Sequence, residues 1–256
     1  MAYNFIRVER DGPITTVTMN RPEVLNALHA DAQLEMEDAF NVFAADPAQW
    51  VAILTGAGER AFCSGGDVKS RADGKKRPDT GFAGLLLRFD LTKPVIAAVN
   101  GLAYGGGFLA ALACDIIVAA DTASFCLPEP KVGIAALGMQ RLARELSPKQ
   151  AAGIILTARR VSAQEGLQLG FINEVVSPAQ LMPTARRWAE EICQFSPVTT
   201  HASKELLYKG RDEPSLELAL KGARDYPAVR DLMASDDVKE GARAFAEKRP
   251  PNWKGR

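Results

Sequence analysis

The sequence predicts an α/β core over residues 1–195 and a C-terminal helical region over 196–256. Three observations carry this prediction. Short apolar, β-branched runs alternate with segments of helical period through the first part of the chain. From Met139 the pattern is helical nearly to the end, and Pro148, Pro183, Pro197 and Pro214 divide it into separate helices. The chain is 47% apolar, enough to bury a large core, and 24% charged, as in ordinary soluble proteins.

The elements follow in order. Phe5 to Glu9 and Ile14 to Met19 read as a hairpin about Asp11-Gly12-Pro13. Leu34, Met36, Ala39, Phe40 and Phe43 fall at helical spacing and predict a helix from His29 to Ala44. Val51 to Leu54 is a short strand, followed by a glycine-rich loop and Phe62-Cys63-Ser64-Gly65-Gly66-Asp67. Ser70 to Thr80 turns polar and reads as a mobile surface loop. A helix is expected over Phe82 to Phe89, then a strand over Val95 to Val99. Asn100 to Ile116 comes next, with Gly105-Gly106-Gly107 leading into an apolar helical run from Phe108 to Cys114. Ile116 to Ala119 and Ala123 to Leu127 are further strands, and Ile172 to Val175 interrupts the later helices. Leu216, Leu218, Leu220 and Val229 give the last helices an apolar surface that they cannot bury alone; it packs on the core or on a second subunit.

Composition excludes several classes of function. Cationic and acidic side chains balance at 31 each, which points away from a nucleic-acid surface or a polybasic membrane patch. No apolar run reaches the length of a membrane span. With two histidines, a histidine-rich metal site is not expected, and His29 and His201 read as structural. Cys63, Cys114, Cys126 and Cys193 have no Cys-x-x-Cys spacing and read as reduced, mostly buried thiols. The first residues, MAYNFIRVERDG, lack an apolar signal segment, so a reducing cytoplasm is the expected setting.

Four motifs bear on chemistry. Gly56-Ala57-Gly58-Glu59-Arg60-Ala61 has the form of a dinucleotide fingerprint, but Cys63-Ser64-Gly65-Gly66 interrupts the helix such a site requires. A flexible turn is the better reading. Ser64 sits in no G-x-S-x-G elbow, so serine hydrolysis has no support. Gly65-Gly66 and Gly105-Gly106-Gly107 each follow a strand. Glycines there serve close helix–strand packing equally well, but two such clusters at strand-to-helix junctions suggest two N–H donors meeting one oxygen. Glu129, fixed between Pro128 and Pro130 after an apolar strand, is either a solvated loop carboxylate or an acid/base at a pocket edge.

At these residues the sequence resembles the crotonase superfamily of enoyl-CoA hydratases and isomerases. The likeness runs through Thr18-Met19-Asn20-Arg21-Pro22, Asn26-Ala27-Leu28, Phe62 to Lys69, Lys93 to Gly101, the glycine triplet, Cys114-Asp115-Ile116, Pro128-Glu129 and Phe245-Ala246-Glu247-Lys248-Arg249. It covers essentially the whole chain. The resemblance implies a spiral core of ββα turns, a C-terminal helical region that builds homotrimers or hexamers, and an acyl-CoA thioester as ligand. It implies no cofactor beyond the coenzyme A carried by the substrate, and no metal. It maps an oxyanion hole onto the N–H groups of Gly66 and Gly106 and an acid/base onto Glu129. Ala61, Ser64, Gly65, Asp67, Val68, Gly105, Leu109 and Leu137 are the residues it assigns to substrate binding. Lys69, Lys75, Lys76 and Arg77 are either contacts for the coenzyme phosphates or a solvated basic loop. Lys248 and Arg249 are candidates for a neighbouring subunit's site.

Two departures matter. Hydratases of this family usually carry a second glutamate at the position of Leu109. Leucine neither holds nor deprotonates water, whereas moving a proton between carbons needs one carboxylate. The segment Gly133-Ile134-Ala135-Ala136-Leu137-Gly138-Met139 is also shorter and more apolar than its counterparts. Three functions are therefore in view. The first is double-bond isomerisation through Glu129. The second is hydration or dehydration, with an acid from the Arg71–Thr80 loop standing in. The third is acyl-CoA binding with little turnover.

Overall fold

A computed structural model describes residues 3–67 and 74–256. In chain order the strands and helices are β1 (Ile6–Asp11), β2 (Ile14–Met19), α1 (Ala30–Ala45), β3 (Val51–Gly56), β4 (Ala61–Cys63), β5 (Val95–Val99), β6 (Leu102–Tyr104) and α2 (Gly106–Leu112). They continue with β7 (Ile116–Ala120), β8 (Ser124–Cys126), α3 (Gln140–Glu145), α4 (Pro148–Thr157), β9 (Val161–Ser162), α5 (Ala163–Leu169) and β10 (Glu174–Val176). The rest is helical: α6 (Leu181–Cys193), α7 (Pro197–Asp212), α8 (Leu216–Gly222), α9 (Pro227–Ala234) and α10 (Asp236–Glu247).

One sheet has the order β1-β2-β3-β5-β7-β10 and is parallel except for the β1–β2 hairpin. A second, smaller sheet has the order β4-β6-β8-β9, with its first three strands parallel. Three successive large-sheet strands are each followed by a small-sheet strand: β3 by β4, β5 by β6, β7 by β8. The chain therefore climbs as a spiral, adding one strand to each sheet per turn. Parallel pairing forces long returns between neighbours, and helices and loops supply them. β3, β5 and most of β7 are buried and read as continuous apolar runs, as strands covered on both faces must.

The main core lies between the sheets and α1 and α2, with Phe40, Phe43, Phe62, Phe108 and Phe125 fully buried. Phe108, Phe125 and Phe171 pack with ring centroids 5.1–5.4 Å apart. That cluster anchors α2 from beneath. A separate core forms where α6 covers the far face of the large sheet.

Several sequence expectations are corrected. Phe82 to Phe89 is not a helix. It is a short 3-10 turn over Phe82–Gly84 in which Ala83 has a left-handed φ of 57°, flanked by Gly81 and Gly84 at 80° and 66°. Gly84 abuts α1 so closely that a methyl group there would stand 2.6 Å from the Glu37 nitrogen. The Gly56–Ala61 turn is anchored at its start, where Gly56 and Ala57 are buried, and exposed over Gly58 to Arg60. A methyl on Gly56 would stand 2.4 Å from the Phe62 carbonyl oxygen, and the buried Asn26 amide ties the Ala57 and Ala61 carbonyls together. The three-residue strands β4 and β6 and the two-residue β9 add a second sheet that periodicity does not reveal.

The four cysteines are free thiols; Cys63, Cys114 and Cys126 are buried and Cys193 is half-buried. Burial pushes the Cys63 thiol up to about 12, so it stays protonated and unreactive. No helix among the described residues is long and apolar enough to cross a membrane. His29 precedes α1 and packs edge-on against Phe5, with centroids 4.3 Å apart.

α7 is docked on the core through Lys204, whose ammonium donates to the Lys93 carbonyl at 2.9 Å and to Asp115 at 2.8 Å. His201 lies one turn earlier. Burial, reinforced by Lys93 and Lys204, pushes its imidazole down from 6.5 to about 4. The folded protein thus refuses a proton that the unfolded chain accepts. His201's contribution to stability is complete above pH 6.5 and falls as the pH drops toward 4. Denaturant unfolding at pH 7 and pH 5 is expected to show a drop in stability that His201→Gln reduces; an unchanged drop in the variant would remove His201 as its source.

Candidate active site

The site is built from the ends of three adjacent parallel strands. β4, β6 and β8 are neighbours in the small sheet, so the residues after them emerge side by side at about strand spacing. Gly65-Gly66 follows β4, Gly105-Gly106 follows β6, and Glu129 follows β8. The Gly105 N–H donates to the Cys126 carbonyl at 2.8 Å, which ties the second turn to the third strand.

The two glycine turns touch. A methyl group on Gly65 would stand 2.9 Å from the Tyr104 carbonyl oxygen and 3.3 Å from the Gly106 nitrogen. Gly65, at φ 101°, therefore needs to be glycine for conformation and for space. The Gly65 carbonyl accepts from the Leu28 N–H at 2.9 Å. A trans peptide points its N–H away from its carbonyl, so the Gly66 N–H faces away from Leu28. The Gly105 carbonyl accepts from the Leu109 N–H at 3.1 Å, so by the same rule the Gly106 N–H points out of the helix start. As the first residue of α2, Gly106 has no intrahelical acceptor for that N–H. Gly106 opens a helix as expected, whereas Gly66 forms a single parallel bridge with Leu28.

Glu129 begins a 3-10 turn, Glu129–Val132, with Pro128 before it and Pro130 inside it. Two prolines fix the backbone dihedrals on either side and aim the side chain. The carboxylate lies directly on Gly105, where a methyl group would stand 2.7 Å from Oε1. Gly105 has φ 54° and ψ −125°, a conformation essentially confined to glycine. One half-buried carboxylate therefore sits against the Gly105-Gly106 turn, which itself touches the Gly65-Gly66 turn.

Leu109 lies one turn into α2, is 3% exposed, and faces an apolar wall. A methyl on Gly138 would stand 3.2 Å from Leu109 Cδ1 and 2.9 Å from Leu86 Cδ2. The Phe82 ring lies across both glycine turns, close over Gly106 and within 3.8 Å of where a Gly66 methyl would be. Gly138 belongs to the apolar Gly133–Met139 segment that the sequence singled out, whereas Phe82 and Leu86 were not among its site candidates. The only signal was the pair Gly81 and Gly84 bracketing Phe82.

The enoyl-CoA hydratase/isomerase family model matches residues 9–256. The chain belongs to that family. Its relatives include a carnitinyl-CoA dehydratase from Salmonella arizonae, 46% identical over 98% of each chain, and one from Proteus mirabilis, 45% identical over 96% of each. An enoyl-CoA hydratase structure from Mycobacterium marinum superposes with a TM-score of 0.92 at 36% identity, covering 98% of this chain and 99% of that one. One from Mycobacterium tuberculosis gives 0.92 at 34% identity, with 98% and 99% covered. The crotonase-like spiral read from the two sheets is thus the fold of solved family members, and the chain is an enzyme of the hydratase/isomerase class.

Other residues that the family likeness brought forward are distributed as follows. Ala61 is buried at the start of β4, its carbonyl accepting from both Asn26 and Asn100. The Ser64 N–H donates to the Leu25 carbonyl at 3.0 Å, which makes Ser64 part of the turn's scaffold. Asp67 pairs with Arg21 at 3.3 Å. Leu137 points outward and is 85% exposed in the single chain. Val68 and Lys69 lie outside the described residues. Lys75 pairs with Asp31 at 2.5 Å and Lys76 with Asp79 at 3.1 Å, both at the surface. Of the acids between Arg71 and Thr80, Asp73 lies outside the described residues. Arg249 is held by Glu240 and Glu247, each at 2.6 Å, within its own chain, and the Arg249 bond together with the Asn252 N–H pulls the Glu240 carboxyl down to about 2.

The carboxylate–glycine contact generates a prediction. Gly105→Ala puts a methyl into the space of Glu129 Oε1 and forces a strained backbone. A displacement of about 1 Å at a reacting group is expected to cost about 100-fold in turnover. Steady-state rates of the purified, folded variant on its acyl-CoA substrate check this; a fully active Gly105→Ala would separate Glu129 from the chemistry.

Proposed function

We infer that this enzyme moves the double bond of an enoyl-CoA thioester through an enolate, with Glu129 as the single acid/base. The observation that carries this reading is the Glu129 carboxylate seated against Gly105 beside two touching glycine turns, with the apolar Leu109 one turn into α2.

The chemistry follows from the geometry. Glu129 removes a proton from C2 of a 3-enoyl thioester. The electron pair moves into the thioester carbonyl, whose oxygen gains negative charge. The Gly66 and Gly106 N–H groups are the proposed donors to that oxygen, and donors fixed before charge arrives need no reorganisation. Protonated Glu129 then delivers the proton to C4, and the double bond ends between C2 and C3. The reaction is redox-neutral and calls for no cofactor beyond the coenzyme A of the substrate.

The names of the carnitinyl-CoA dehydratases favour a second reading, elimination or addition of water across a double bond. That reaction usually employs two groups to orient water and carry its proton. Leu109, packed against Leu86 and Gly138, supplies neither function. An acyl-CoA-binding protein with little turnover would share the glycine turns but have no use for Glu129. The exposed Leu216, Leu220, Met233 and Phe245 of the C-terminal helices support self-association as a trimer or a pair of trimers.

Purified protein supplied separately with 3-enoyl-CoA, 2-enoyl-CoA and carnitinyl-CoA distinguishes these readings. Migration of the double bond supports the first, gain or loss of water the second, and tight binding without product the third. Glu129→Gln is expected to lower migration by about 10²–10⁴-fold while leaving substrate binding unchanged. Leu109→Glu is expected to bring in hydration at least about tenfold above the parent. Parent enzyme that hydrates readily and moves no double bond would contradict the isomerase reading.

A further inference from the structure

The turn that carries Phe82 is strained and firmly held. Gly81, Ala83 and Gly84 all have left-handed φ values, 80°, 57° and 66°. Ala83 is fully buried, and its Cβ makes the left-handed conformation unfavourable. Two contacts with α1 keep the turn in this state. The Thr80 N–H and hydroxyl both donate to Glu37 Oε1, at 3.0 and 2.8 Å. Gly84 lies so close to the α1 backbone that a methyl group there would be 2.6–2.8 Å from three of its atoms. Strain that the surroundings maintain is characteristic of ligand clamps.

What this turn delivers is the Phe82 ring. A methyl on Gly106 would stand 2.7, 2.8 and 2.9 Å from ring carbons Cζ, Cε1 and Cε2, and one on Gly66 would stand 3.8 Å from Cε2. One ring therefore spans both proposed donor turns. Gly106 is half-buried beneath it, Gly66 is exposed, and Phe82 itself is only half-buried. Burial of the ring does not by itself account for a strained turn.

We propose that Phe82 is a positioning residue of the thioester site: its ring edge closes one side of the gap between the Gly66 and Gly106 turns, so that the acyl carbonyl enters from the Gly66 side and water is kept off the Gly106 N–H. The role in turnover rests on the enolate reaction proposed above. A donor without competing water stabilises a developing oxyanion more strongly than a solvated one. An enolate is planar across the carbonyl and C2, and a flat ring beside it favours that planar arrangement.

Two readouts on the full chain test this. The first is amide hydrogen exchange at Gly106, measured by NMR without ligand. Phe82→Ala is expected to speed that exchange about tenfold, while Phe82→Tyr leaves it near the parent value. The second is steady-state double-bond migration on 3-enoyl-CoA. Phe82→Ala is expected to lower kcat about tenfold with KM within about twofold, because the ring acts on the oxyanion and not on the coenzyme, and Phe82→Tyr restores kcat. If Phe82→Ala does not fold, Phe82→Leu is read in the same way. Unchanged Gly106 exchange together with unchanged kcat would overturn the proposal, as would a loss confined to KM. Parent enzyme that moves no double bond would instead overturn the isomerase reading, and the exchange measurement would still decide whether the ring shields Gly106.

Discussion

The contact between the Glu129 carboxylate and the bare Cα of Gly105 is the constraint on which the site depends. It brings the end of β8 against the end of β6. No side chain intervenes, because a methyl group at Gly105 would overlap Oε1. The same turn presents the Gly106 N–H, so the proposed acid/base and one proposed oxyanion donor are separated by a single peptide. The close approach of Gly65 to the Gly106 nitrogen adds the second proposed donor turn by the same device. Three consecutive small-sheet strands thus converge through glycine rather than through side-chain packing. Such approach is available only where the backbone itself forms the surface.

The rest of the fold holds those three strand ends still. The phenylalanine cluster of Phe108, Phe125 and Phe171 links α2, β8 and the segment after α5 beneath the site. Gly107 sits against Cys63 with no room for a side chain, which seats α2 on β4. Asn26, itself left-handed and buried, ties the loop before β4 to the first residue of that strand. At the C-terminus the buried Asp237 accepts from the Ser196 hydroxyl at 2.7 Å and from the Lys254 and Gly255 N–H groups at 2.8 and 3.1 Å, which ties the chain end to the start of α7. These are positional devices, in which satisfied buried polar groups set geometry more than they add stability.

Much of this was legible in the sequence, for identifiable reasons. Long elements with clear period, such as α1 and β5, declare themselves through their apolar spacing. The glycine clusters and the Pro-Glu-Pro turn mark the site because their residue types are unusual at those places. Of the small sheet only β8 was legible, through its apolar run; Ala61–Cys63 and Leu102–Tyr104 adjoin glycine turns and Val161–Ser162 is too short to show a period. The Phe82–Phe89 run looked helical from its leucines. What overrides that propensity is tertiary: Gly84 against the α1 backbone and Thr80 on Glu37, which local sequence cannot express. The outward direction of Leu137 and the wall formed by Leu86, Leu109 and Gly138 depend on the same kind of long-range contact.

The central claim is that one carboxylate, seated on a glycine, removes a proton next to a thioester carbonyl held by two amides. Incorporation of solvent deuterium at C2 of a saturated acyl-CoA tests it most directly, since that exchange requires the enolate and neither water addition nor a double bond. The account predicts exchange catalysed by the parent enzyme and almost none by folded Glu129→Gln. Exchange by Glu129→Gln at the parent rate would contradict it.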